Sequence, residues 1–284
     1  MNELSFRDAT IVFATNHGKC VAANGPFGTI LNSKIEELRI DSDRMGTFSG
    51  EIERPGSMLD ALRGKVELAR EITSSRFVLV SEGSFGSTDG LGLITRGIEL
   101  LMLHDAARNI EVIEQLITFD TNYATAVLST DEDLARFLPR IPLGAHGLIL
   151  YPDGCPHPPE VHKGITTPEE AVRAFASSRD ASPVGRVLAT TDMRAHMNPT
   201  RMRAIGACCE LLAYRLATPC PHCGSGGFGL VESIPGLPCE WCGSPTLRAR
   251  AERHACVICK KHLDKPRRDG KAHADPSECP ACNP

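Results

Sequence analysis

The sequence predicts an α/β fold: a mixed sheet with flanking helices over residues 1–217, followed by a small zinc-ribbon-like domain over residues 218–284. Three observations predict it. Short β-type runs alternate with helical patterns through the first part. Residues 98–119 read as an antiparallel meander, which makes the sheet mixed. Four Cys-x-x-Cys pairs crowd the tail.

Taken in order, Ile11–Ala14 is a buried strand ending in the polar loop Thr15-Asn16-His17-Gly18-Lys19. Ser57 opens a helix running to about Ile72, with Asp60 as its capping-box partner and an apolar stripe of Leu59, Leu62, Val66, Ala69 and Ile72. Phe77–Val80 is the next strand and ends in Ser81-Glu82-Gly83. Strands follow near 98–103, 110–119 and 147–151, with a helix from Asp131 to Leu138. Thr167-Pro168 starts another helix, with Thr as cap and Pro in the first turn. Val184–Ala189 is a strand, and a last helix runs from Asn198-Pro199-Thr200 to Leu216. Thr218-Pro219 marks the domain boundary.

The tail pairs are Cys220/Cys223, Cys239/Cys242, Cys256/Cys259 and Cys279/Cys282. Eight thiols at one spacing suit two tetrahedral four-cysteine zinc sites, because a two-residue gap lets one turn aim both sulfurs at one ion. Gly follows Cys223 and Cys242, where the chain must fold back. With all ligands from protein, such sites leave no position for substrate water, so the zinc is structural. Sequential, nested and interleaved pairings all satisfy the spacing; sequential pairing has the most local loops and is the expectation.

Redox Cys-x-x-Cys motifs occur singly beside a βαβ unit, and disulfides need an oxidising compartment. Met1-Asn2-Glu3-Leu4 begins no apolar signal segment, so a reducing cytoplasm is expected. No stretch approaches the length of a membrane span, so no membrane partner is expected. The net charge is −4. Residues 1–217 carry −6 and residues 218–284 carry +2, which two zinc tetrathiolates of about −2 each would cancel. Bulk attraction to nucleic acid is not indicated. The basic cluster of Lys260, Lys261, Lys265, Arg267 and Arg268 reads as a solvated loop or, alternatively, a phosphate-backbone contact.

Chemistry is expected in the polar loops after strands, where ligands of α/β sheets bind. Asn16 and Lys19 suit a phosphate. Glu51, Glu53 and Glu82 are oxygen donors of the kind that position Mg²⁺ beside phosphates. Arg194, His196 and Arg201 surround a helix N-terminus able to receive an anion.

The segments Ala14–Lys19, Gly46–Arg54, Ser81–Gly86 and Thr191–Met202, followed by the cysteine tail, resemble an uncharacterised bacterial family that pairs an α/β domain with a zinc-binding region. More distantly, Thr15/Asn16/Lys19, Gly46-Thr47-Phe48, Glu82-Gly83-Ser84 and His196/Arg201 are similar to motifs of inosine-triphosphate pyrophosphatases and Maf-type nucleotide hydrolases. That resemblance implies a Mg²⁺-dependent hydrolase of a nucleotide or other phosphorylated small molecule. Glu53 or Glu51 and Glu82 would hold Mg²⁺, Glu82 would activate water, and Asn16, Lys19, His196 and Arg201 would grip triphosphate. The competing expectation is a non-enzymatic adaptor whose zinc domain docks a protein or nucleic-acid partner.

Overall fold

The computed structural model describes residues 6–46, 52, 54–88, 94–155, 158 and 160–284. The chain forms two compact units: Asp8–Ala213, and Tyr214–Pro284 with Phe6 and Arg7. The architecture is mixed α/β, as expected.

The larger unit is built on two sheets. The first has the order β2-β1-β3-β4-β5, from β1 (Thr10–Ala14), β2 (Lys34–Leu38), β3 (Phe77–Ser87), β4 (Thr95–Asp105) and β5 (Ile110–Thr118). β1 runs parallel to both neighbours, and β3, β4 and β5 form the antiparallel meander. The strand expected at 98–103 is longer, the one expected at 110–119 ends one residue earlier, and the two are joined as predicted. α2 (Met58–Ile72) packs on this sheet through Leu62, Val66 and Ala69, against Ala14, Val78, Val80 and Met102. Ser57 and Asp60 form the anticipated capping box. Ile72 is the exception in the stripe: it is exposed, while Lys65 is buried in its place.

α1 (Cys20–Leu31) had no counterpart in the sequence reading. Gly25, Pro26 and Gly28 lie inside it, all poor helix formers. Its buried side chains, Cys20, Ala23, Phe27 and Leu31, nonetheless repeat at helical spacing, so packing overrides propensity.

The second sheet is antiparallel throughout, with the order β6-β9-β7-β8: β6 (Thr125–Leu128), β7 (Leu148–Pro152), β8 (His162–Ile165) and β9 (Val187–Thr191). β9 begins three residues later than expected, because Gly185 (φ +65°) makes the turn before it. α3 (Asp131–Phe137) and α4 (Pro168–Ala181) cover this sheet through Leu134, Phe137, Ala171 and Phe175. Thr167 caps α4 with Pro168 in the first turn, as the sequence indicated. α5 (Pro199–Ala217) is capped by Asn198, whose side-chain oxygen accepts from Arg201 N at 2.9 Å.

The smaller unit is a three-stranded antiparallel sheet, β10 (Gly229–Pro235), β11 (Ala249–Ala255) and β12 (His262–Pro266). A cysteine cluster sits at each end. Among the described residues, no helix is long and apolar enough to cross a membrane.

Candidate functional site

The two cysteine clusters are Cys220/Cys223/Cys256/Cys259 and Cys239/Cys242/Cys279/Cys282. The pairing is interleaved, which overturns the sequential arrangement favoured on loop length. Sheet register is the reason. β10 and β11 pair Gly229 with Ala255, so the turn before β10 meets the turn after β11. β12 then carries the chain back, and Ala274 bridges to Cys239 at the opposite end.

The geometry suits zinc. Cross-pair sulfur separations are 3.7 Å for Cys220–Cys259 and Cys223–Cys256, 3.6 Å for Cys242–Cys279 and 3.9 Å for Cys239–Cys282. A tetrahedron with metal–sulfur bonds of about 2.3 Å has edges of about 3.8 Å. Each knuckle closes on its first cysteine, with Gly224, Gly243, Lys260 and Asn283 donating their N–H to Cys220, Cys239, Cys256 and Cys279 carbonyls. The first three of these residues differ in one respect: Lys260 holds φ +62°, a conformation that Gly224 and Gly243 adopt without a side chain.

The chemistry of the larger unit gathers where β1 stops and β3 continues. β1 pairs with β3 only as far as Phe13↔Leu79, while β3 stays paired with β4 to Ser87. Beyond Leu79 the edge of β3 is completed by side chains. Lys65 Nζ donates to the Ser81 carbonyl at 3.0 Å, and Arg54 Nη2 to the Gly83 carbonyl at 3.0 Å. Strand alternation then divides the polar groups between the two faces of the sheet. Glu82 shares the face of Val78 and Val80 and meets Lys65 of α2; its other oxygen accepts from Arg54 Nη2 at 2.7 Å. On the opposite face, Ser81 Oγ accepts from Lys19 Nζ at 2.8 Å.

Arg201 is buried beside them. Its Nε donates to Glu99 Oε1 at 2.7 Å, and its guanidinium also reaches the Met193 carbonyl. Gly83 lies directly across from Glu99 in the β3–β4 register. A Cβ there would come within 2.4 Å of Arg201 Nη2, so the glycine makes room for the guanidinium. Arg194 is held by Asp192, with Nη2–Oδ2 at 2.6 Å, and the same carboxylate accepts from Gly164 N at 3.1 Å.

These groups line a cavity of about 110 Å³. Six cations contribute to its wall: Lys19, Arg54, Lys65, Lys163, Arg194 and Arg201. Among the described lining residues, Glu82 is the one carboxylate. Burial, then the nearby Arg201 and Lys65 charges, hold the Lys19 amine down at about 7. Burial, reinforced by Lys19 and the other cations, lowers His17 to about 3, so its imidazole is neutral. The His17 ring lies 5.0 Å from that of His196, whose pKa is lowered by burial and then by Arg194.

Residues 65–284, more than half of the chain, match the family model described as a domain of unknown function, DUF6671. The chain belongs to the DUF6671 family. The matched region of this DUF6671 protein contains both cysteine clusters and, in the cavity wall, Lys65, Ser81, Glu82, Lys163, Arg194 and Arg201. Comparison with curated proteins gave no match, and comparison with solved structures gave none.

Of the residues nominated from sequence, Lys19, Glu82, Arg194 and Arg201 line the cavity. Asn16 does not; its side-chain oxygen accepts from Ile40 N at 3.2 Å and secures the strand-end loop to the segment after β2. His196 faces a neighbouring apolar groove beside Val21 and Met202. Glu51 and Glu53 lie outside the described residues. The described donor set does not suit Mg²⁺: both oxygens of Glu82 are taken by cations, and the other charged residues described in the wall are cations.

Sequence reasoning missed Arg54, Lys65, Lys163, Ser81 and Glu99. Two of these carried a readable signal. Lys65 stands midway between the buried Ala61 and Ala69 on one helix face, and Glu99 alternates with the buried Gly97 and Leu101 on one strand face.

Proposed function

We propose that the larger unit binds a phosphorylated small molecule in the cavity at the end of β1, and that the two cysteine clusters hold zinc ions that fold the smaller unit. The charge of the wall carries the first part. Among the described residues, with Glu99 and Asp192 counted behind it, six cations stand with three carboxylates. Clustering cations in a buried wall is costly, and a phosphate in the cavity offsets that cost while accepting their hydrogen bonds. Glu82 then serves as the counter-ion that fixes Lys65 and Arg54.

A nucleoside triphosphate, which the resemblance to inosine-triphosphate pyrophosphatases implies, is one member of this ligand class; of the four residues that resemblance assigns to gripping triphosphate, Lys19 and Arg201 line the cavity. Hydrolysis with Mg²⁺ would draw on Glu51 or Glu53. The reading suits a reducing cytoplasm, where eight thiols stay available to metal.

The test is calorimetry and thermal unfolding with inorganic phosphate, pyrophosphate and a panel of nucleotides, with and without Mg²⁺. Saturable stabilisation by phosphate compounds is expected, weakened in Lys65→Met and Arg194→Ala. If none of them stabilises the folded protein at millimolar concentration, the reading is wrong. Phosphate release from the nucleotide panel separates hydrolysis from binding.

One observation favours an additional role for the smaller unit as a docking module. Trp241 is 78% exposed and Leu247 89% exposed, both between Cys239 and β11. Protein capture by the intact chain that is lost in Trp241→Ser would support it; capture unchanged by that substitution would exclude this surface. A nucleic-acid partner is less well supported, because Arg267 and Arg268 of the basic cluster are engaged by Asp269 and Glu252.

A further inference from the structure

We propose that Ser81 is a nucleophile and Lys19 its general base, so that the cavity takes a phosphoryl group onto Ser81 before passing it to water. This rests on the phosphate-binding reading and adds a covalent step to it.

The geometry sets the pair apart from the other contacts of the wall. Lys19 Nζ and Ser81 Oγ lie 2.8 Å apart, both residues are buried, and both line the cavity. Ser81 is held from two sides: its strand pairs with β4 at Leu101, and its carbonyl is bound by Lys65. The hydroxyl therefore presents from a fixed backbone, as a positioned nucleophile requires.

A lysine beside a serine serves as a base only when its amine is unprotonated. The groups facing Lys19 are Arg201 from α5, Lys65 from α2, Glu99 from β4 and Glu82 from β3, with His17 on its own loop. Burial and the two cations outweigh the two carboxylates and leave the amine at about 7, so near neutral pH much of it is unprotonated. A bound phosphate raises the amine's pKa, because a neighbouring anion favours the ammonium, so the dependence on a group near 7 belongs to the free protein and is read in kcat/KM. Glu82 is a poorer candidate. Burial raises its pKa, but Lys65 and Arg54 outweigh burial and hold it below the usual carboxylate range.

In the first half of the reaction Ser81 Oγ attacks phosphorus and its proton passes to Lys19 Nζ. The Oγ–P bond forms as the bond from phosphorus to the ester oxygen breaks, and Lys19 returns the proton to the departing oxygen. In the second half water attacks the phosphoserine and gives a proton to Lys19. Ser81 leaves carrying that proton, and inorganic phosphate is released. Lys65, Arg194 and Arg201 provide fixed positive charge for the non-bridging oxygens.

The experiment uses the full chain with p-nitrophenyl phosphate and acetyl phosphate, acid quench and peptide mapping, beside calorimetry with inorganic phosphate. Expected are a phosphoryl adduct on Ser81 and nitrophenolate release whose kcat/KM rises as pH passes through about 7. Ser81→Ala should abolish both while keeping phosphate binding and thermal stability. Lys19→Met should slow release roughly a hundredfold or more and remove the pH-dependent rise. Phosphate binding with no adduct, or release unchanged in either variant, overturns the dyad and leaves the binding reading standing. Failure of the native protein to bind phosphate overturns both.

Discussion

The two compact units bury different things for different reasons. In the smaller, the buried cluster is Cys220, Phe228 and Cys256, so thiols take the place of a hydrophobic core. In the larger, two aliphatic and aromatic cores are already present, and the unusual buried groups are Lys19, Lys65, Glu82, Glu99 and Arg201. With metal bound as proposed, the thiols would make folding possible where apolar area is scarce, because metal binding supplies folding free energy. The charges work against folding, since taking ions out of water costs several kcal/mol each before pairing offsets it. One unit thus stores its polar chemistry as stability, and the other holds it at the expense of stability.

Removing zinc should produce the largest effect and the sharpest separation. Structural zinc sites contribute on the order of 10 kcal/mol. Chelation, or Cys279→Ser, is expected to expose the amides of β10–β12 to hydrogen exchange while β3 and β4 remain protected. Metal analysis should fall from two ions per chain to one in the single variant, following the two clusters. Simultaneous loss of protection in β3 and β4 would mean the units do not differ in this way.

Breaking the buried pair in the larger unit should come next. Glu99→Gln removes the buried carboxylate charge that faces the Arg201 guanidinium and should lower the unfolding free energy by about 3–5 kcal/mol in urea titration. Replacing both partners with apolar residues, Glu99→Leu with Arg201→Met, should recover much of the loss. That recovery is the mark of a pair retained for something other than stability.

Lys19 extends the contrast to pH. Its folded value of about 7 lies below its ordinary 10.5. Between these values the unfolded chain binds more protons, so stability should rise with pH from about 7 upward, by about 2 kcal/mol by pH 9. Lys19→Met should flatten that limb in unfolding titrations at successive pH values. The smallest effect belongs to ordinary capping: Ser57→Ala removes one half of the α2 capping box and should lower stability by about 1 kcal/mol.

Features that rest on local sequence were legible. The capping box at Ser57, the Thr167 cap with Pro168 in the first turn, the meander and the four knuckles all follow from residues a few positions apart. What depends on pairing at a distance was not. The metal pairing is decided by the register of β10 on β11, which no spacing of cysteines encodes. Charge signs were visible, but which charges turn inward was not: Lys65 lies outside the apolar stripe of its helix yet is buried, and nothing in the segment Gly46–Arg54 marked Arg54 as the partner of Glu82. α1 was hidden for the opposite reason. Its glycines and proline argued against a helix that tertiary packing nevertheless selects.

The interleaving of the two metal sites also bears on how such a unit can be inherited. Had the sites been sequential, a break near residue 250 would separate two self-sufficient modules, each free to be duplicated, lost or recombined. Here the segment enclosing the first set of ligands, 220–259, contains half of the second set, and the segment 239–282 contains half of the first. No recombination point between them yields one complete site without orphaned thiols from the other. The unit can pass between proteins only as a whole.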